Sequence, residues 1–135
     1  MIGDVIGELT GKIVSQRLVR HWHGGELKLE KTMESKGKIL GKEVTLLATL
    51  QLKERPQGGM YAEGNGVMMT ATGEKVILHG SGITTAMKGM AISQRGVRYA
   101  QTASPAFSRL NNVAIVFEIE ILADGTVHDK MWEWK

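Results

Sequence analysis

The chain has 135 residues, 42% apolar and 23% charged, with 17 Lys+Arg against 14 Asp+Glu and no cysteine. That length suits one domain, expected over 1–135, with a core that folds without staples; disulfides, thiolate nucleophiles and thiolate metal sites are excluded outright. No run approaches the ~18 consecutive apolar residues of a membrane helix, and the +3 surplus is interspersed with acids instead of gathered into the stripe that a phosphate backbone needs.

From composition, neither a membrane nor a nucleic acid is expected as a partner. The N-terminal Met1–Glu8 carries Asp4 and Glu8 where a secretory signal needs a basic segment and then an apolar one. The expected location is therefore cytoplasmic.

In chain order, Gly7–Arg20 alternates Gly7, Leu9, Gly11 and Ile13 with Glu8, Thr10 and Lys12, and predicts a first strand. Gly24-Gly25 turns into a second, Glu26–Leu40, with Leu27, Leu29, Met33 and Ile39 in one phase and a row of charges in the other. A third, Glu43–Arg55, sets Val44, Leu46, Ala48, Leu50 and Leu52 against Thr45, Thr49, Gln51 and Lys53. Pro56-Gln57-Gly58-Gly59 stops it.

Met60–Thr85 reads as two arms around Thr70–Glu74, with Gly73 supplying the positive φ of the turn. Each arm carries a Gly-x-Gly, at Gly64/Gly66 and at Gly80/Gly82. Paired glycines inside a strand mark a bend, a bulge or a close approach to the backbone. Met87–Arg95 and Val97–Ala103 are expected as two strands meeting near Gly96. Ser104–Asn112 is the one helical turn, with Ser104 at the cap and Pro105 first inside it. Val113–Ala123 and Thr126–Trp134 flank Asp124-Gly125, a strong hairpin signal.

Eight or nine strands with hairpin spacing predict an all-β fold. A single antiparallel, mostly up-and-down β-barrel of about eight strands, with the short helical turn near 104–111, is favoured because closure removes exposed edges; a β-sandwich is the structural alternative.

Tyr61, Glu63 and Asn65 share a phase with Val67 and Met69. If that face is interior, Glu63 and Asn65 are polar groups inside the barrel, and a buried carboxylate often serves as acid, base or ligand hook. With the phase reversed, Ala62, Gly64, Gly66 and Met68 point inward and Glu63 meets water. Both registers stay open on the sequence alone. Tyr99 and Gln101 share one phase and lead into the helical turn, where they would orient a ligand or satisfy loose backbone groups. His79 and the arginines Arg95 and Arg98 are possible partners for Glu63. His21-Trp22-His23 places two imidazoles on one side of a strand, but a third metal ligand is not legible, and no metal or other cofactor is expected. Ser93 and Ser108 have no histidine and acid in a recognisable relation to them.

Glu63-Gly64-Asn65-Gly66, Tyr99-Ala100-Gln101-Thr102, Arg109-Leu110-Asn111 and Trp132-Glu133-Trp134 together resemble a family of small prokaryotic proteins similar in fold to the allene oxide cyclase barrel. The resemblance implies an eight-stranded barrel with a cavity, often oligomeric. Allene oxide cyclases close an unsaturated fatty-acid epoxide without a cofactor, and Glu63 and Asn65 are analogous in place to their polar groups. The expectation is a barrel that binds a small, largely apolar molecule, with Tyr61, Asn65, His79, Tyr99 and Gln101 as contacts. A cofactor-free isomerase or cyclase with Glu63 as its catalytic acid is one alternative. A structural or assembly protein with a filled core is another, and in either case a homo-oligomer is an expected partner state.

Overall fold

The computed structural model of the protein describes residues 2–20 and 27–135. Its strands are β1 (Ile2–Arg20), β2 (Leu27–Ile39), β3 (Lys42–Glu54), β4 (Met60–Met69), β5 (Lys75–Lys88), β6 (Ala91–Gln101), β7 (Ala114–Ile121) and β8 (Thr126–Trp134), with one 3₁₀ helix, Pro105–Asn112. Each strand pairs antiparallel with the next and β8 returns to β1, which closes the barrel. The up-and-down barrel is the observed fold, and the sandwich is not.

Alternation writes the core. Along β3, Val44, Leu46, Ala48, Leu50 and Leu52 are buried, and along β7 so are Ile115, Phe117, Ile119 and Ile121. Each large apolar side chain taken from water this way contributes about 1.5–3 kcal/mol. The 3₁₀ helix lies across one end and plugs it with Phe107 and Leu110, each 1% exposed. Thr102 and Asn111 clamp its two ends together: the Thr102 amide donates to Asn111 Oδ1 at 2.8 Å, and Asn111 Nδ2 donates to the Thr102 carbonyl at 3.0 Å. Arg109 pairs with Glu133 on β8. Three of the four sequence motifs that suggest the cyclase barrel thus supply side chains or backbone to this plug.

Two strand boundaries differ from expectation. β6 runs straight through Gly96, and the hairpin turn lies instead at Gly89, where φ is +60°. Gly96 faces Gly82 across the β5–β6 ladder, and a Cβ there would stand 2.1 Å from the Ser81 carbonyl oxygen. This glycine permits close packing of two strands and makes no turn. β1 begins at Ile2, five residues before the alternation is legible, because its first part pairs with the tryptophan-bearing end of β8.

The opposite end flares. β1 pairs with β8 only as far as Lys12, then passes a bulge between Ile13 and Ser15 and continues paired with β2. On the inward phase of this extension Leu18 is 60% and Leu27 41% exposed.

Candidate functional site

β3 decides which way β4 faces. Directly paired residues share a face of the sheet, and β3 pairs Leu46 with Met68, Ala48 with Gly66, Leu50 with Gly64 and Leu52 with Ala62. The cleanly two-faced β3 therefore turns Met60, Ala62, Gly64, Gly66 and Met68 inward. Glu63 and Asn65 stand on the outer wall with Tyr61, which corrects the interior placement on which their ligand role rested.

The predicted residues are gathered, but on the outside. The Tyr61 hydroxyl donates to Glu63 Oε1 at 3.0 Å, and His79 Nδ1–H donates to Asn65 Oδ1 at 3.0 Å. Asn65, His79 and Tyr99 occupy one row across β4, β5 and β6, with Tyr99 58% exposed. Gln101 is exposed one row further on, opposite Ile77. Tyr61 and Glu63 border a surface groove of about 390 Å³ with Lys28 and Lys53. A groove of about 540 Å³ lies between unrelated side chains near Lys36 and Thr70, so size alone does not single it out.

Inside, sequence reasoning missed a different set. Arg98 on β6 and Asp129 on β8 form a buried pair, Nη1 donating to Oδ1 at 2.9 Å and Nη2 lying 2.8 Å from Oδ2 off the hydrogen-bond line. The guanidinium carbon sits 4.2 Å from the centre of the Phe117 ring, a cation–π contact. The glycines make room for both side chains: a Cβ at Gly80 would meet Arg98 Cγ at 2.8 Å, and one at Gly82 would meet Phe117 Cζ at 3.1 Å. Close approach is thus the use of the Gly-x-Gly pairs, and the atoms that approach belong to the protein itself.

Gln94, 1% exposed, donates from Nε2 to Thr84 Oγ1 at 3.3 Å, and its Oε1 is enclosed without a hydrogen-bond partner among the described residues. Ser35 Oγ is in the same position. Gln94, Arg98 and Phe117 line an interior cavity of about 30 Å³, walled otherwise by Met33, Leu46, Leu50 and the glycine backbone. That volume admits about two waters.

Lys31 is the third inward charged residue, 2% exposed on β2. Burial pushes its amine below the ordinary lysine range. A lysine in a phase that otherwise reads apolar (Leu29, Met33) was the available signal. For Arg98 it was its phase with Gly96 and Ala100, and for Asp129 its phase with Val127 and Met131.

Among the described residues no group of three or more His, Asp and Glu side chains is placed to hold a metal ion. His21, Trp22 and His23 lie outside the described residues. No helix of the described residues is long and apolar enough to cross a membrane.

Solved structures share the barrel. A protein of unknown function from Clostridium acetobutylicum ATCC 824 superposes with TM-score 0.82 at 14% identity, over 98% of each chain. A conserved protein of unknown function from Rhodopseudomonas palustris gives 0.80 at 13%, over 98% of this chain and 97% of its own. A β-barrel-like protein from Acinetobacter baumannii AYE gives 0.76 at 10%, over 99% and 96%. No family model and no curated protein matches the sequence. At such identities the similarity extends to the fold alone, and none of the three is described as a cyclase.

Proposed function

We propose that this barrel is an assembly module: a closed, filled scaffold that pairs with a second copy of itself through the outer wall of β3, β4 and β5. The observation that carries the reading is an apolar row on that wall. Leu47, Val67 and Ile77 are directly paired across the three strands, and Met69 lies one outward position along β4. Leu47, Ile77 and Met69 are 47%, 45% and 46% exposed. Contiguous exposed apolar side chains with a polar rim are characteristic of interaction sites. The neighbouring positions are polar, Thr49, Asn65 and His79 on one side of the row and Thr45 and Lys75 beside Met69 on the other.

The filled interior supports the same reading. A drug-sized apolar ligand occupies about 300 Å³ or more, whereas the cavity offers about 30 Å³. The test is sedimentation equilibrium at micromolar concentration. A dimer that becomes monomeric in Leu47→Lys/Ile77→Lys, with unchanged circular dichroism, supports the proposal, and a wild-type monomer ends it.

One observation favours a second reading, uptake of a small molecule inside the barrel. Gln94 Oε1 and the Arg98 guanidinium both border the cavity, and the first has a free acceptor valence among the described residues. Such a ligand enlarges the site by displacing the flexible Met33 and Leu50. A cofactor-free isomerase or cyclase would use the same site, with Arg98 and Gln94 replacing Glu63 and Asn65 as its polar groups.

A further inference from the structure

Lys31 sits on the inward face of β2 between Leu29 and Met33, opposite Leu50 of β3 and Gln16 of β1. A lysine 2% exposed is ordinarily paired, and among the described residues no carboxylate takes this one. The buried acid, Asp129, is held by Arg98. Nor is the Lys31 amine among the fully enclosed atoms that lack a partner, as Ser35 Oγ and Gln94 Oε1 are. Its tip therefore keeps a narrow contact with solvent. The way in is the flared end, where Leu18 and Leu27, on the same inward phase, are 60% and 41% exposed.

We propose that Lys31 is a carbonyl-capturing amine, a covalent attachment site for a small aldehyde entering from the flared end of the barrel. An ammonium held in apolar surroundings without a counter-ion loses its proton more readily than one in water, and the neutral amine is the nucleophile. Desolvation is the sole cause acting on this amine. The nitrogen lone pair attacks the carbonyl carbon and the amine proton passes to the oxygen, giving a carbinolamine. The C–O bond then breaks, the oxygen leaves as water with a second proton from nitrogen, and the C=N bond forms. No redox partner is needed, and water reverses the step. Nothing in this depends on self-association, so the two proposals fail separately.

The experiment uses the intact protein with acetaldehyde and cyanoborohydride at neutral pH, the hydride reducing each imine to a stable secondary amine. Peptide mapping by mass spectrometry then gives a rate for every lysine. Lys31 is expected to be alkylated at least about tenfold faster than Lys36 and Lys38, outward residues of the same strand, with the advantage shrinking as the pH approaches that of an ordinary lysine pKa. Equal or slower reaction of Lys31 at neutral pH overturns the proposal. Lys31→Met, if folded, loses the fast-reacting site; if it does not fold, the rates in the native protein decide alone.

Discussion

Arg98 and Asp129 reach each other over an intervening strand. In register, Arg98 stands opposite Ile115 and Asp129 opposite Ile119, so Phe117 of β7 lies midway beneath the pair with its ring under the guanidinium. Removing one member of a buried pair leaves the other charge unpaired, at a cost of about 3–5 kcal/mol, whereas replacing both with apolar residues is often neutral. Arg98→Met alone is expected to lower unfolding stability by that amount, and Arg98→Met with Asp129→Leu to fall within about 1 kcal/mol of the native protein. Urea titration of the three proteins measures it, and a single variant that costs under about 1 kcal/mol contradicts the burial of the pair.

The inward glycines are not equivalent. At Gly96 an added Cβ would lie 2.1 Å from the Ser81 carbonyl oxygen and 2.7 Å from Gly82 Cα, so the β5–β6 backbones must part. At Gly66 the nearest atoms are Ala48 Cβ and Leu46 Cδ1, each at 3.0 Å, and Gly66 borders the interior cavity. Gly96→Ala is therefore expected to cost about 3 kcal/mol or more and Gly66→Ala about 1 kcal/mol or less. Thermal melts of both variants check the ranking, and equal losses would contradict it.

The barrel was legible because β2, β3 and β7 alternate cleanly and Gly73 and Gly125 close hairpins with positive φ. Gly96 misled because a glycine in a polar run looks the same whether it turns the chain or lets two strands touch; only the partner strand tells them apart. The β4 phase turned on a single residue. A four-residue turn over Pro56–Gly59 would pair Arg55 with Met60 and set Glu63 against Leu52, whereas the observed loop takes in Arg55, so that Glu54 pairs with Met60 and Ala62 lies against Leu52. Viewed alone, β4 has apolar residues on both sides, Tyr61, Val67 and Met69 against Ala62 and Met68, so its own pattern could not choose. Of the candidate site, the residues predicted to work together do lie together, since neighbouring strands bring like phases into one row. What stayed hidden is the interior charge. Arg98 and Asp129 belong to non-neighbouring strands, and their meeting follows from barrel curvature, which no local pattern encodes.

The plug makes a further prediction. Phe107 is fully enclosed, and the clamp between Thr102 and Asn111 fixes the helix that carries it. Phe107→Ala should cost about 3–5 kcal/mol through lost burial and the cavity left behind. Asn111→Ala, which removes two exposed backbone hydrogen bonds, should cost about 1 kcal/mol. Hydrogen exchange is expected to rise at 102–113 in Asn111→Ala and to stay native in β3 and β7; exchange that rises evenly around the barrel would mean that the helix is no separate plug.

Lys31 ties stability to pH with a definite sign. Burial favours its neutral amine in the folded barrel, so the folded pKa lies below the 10.5 of the unfolded chain. Between those two values the unfolded chain holds the extra proton, and stability contributed by this residue rises with pH. Its cost is complete below the folded pKa and gone above 10.5. Lys31→Met keeps the aliphatic stem and drops the charge, and is expected to stabilise the protein by about 1 kcal/mol at neutral pH. The gain should hold until the pH reaches the folded pKa and shrink from there towards 10.5. Urea midpoints of native and variant protein across that range test it. A variant less stable than the native protein at neutral pH would mean that the amine is held by a favourable partner, and that the aldehyde chemistry drawn from its isolation has no basis.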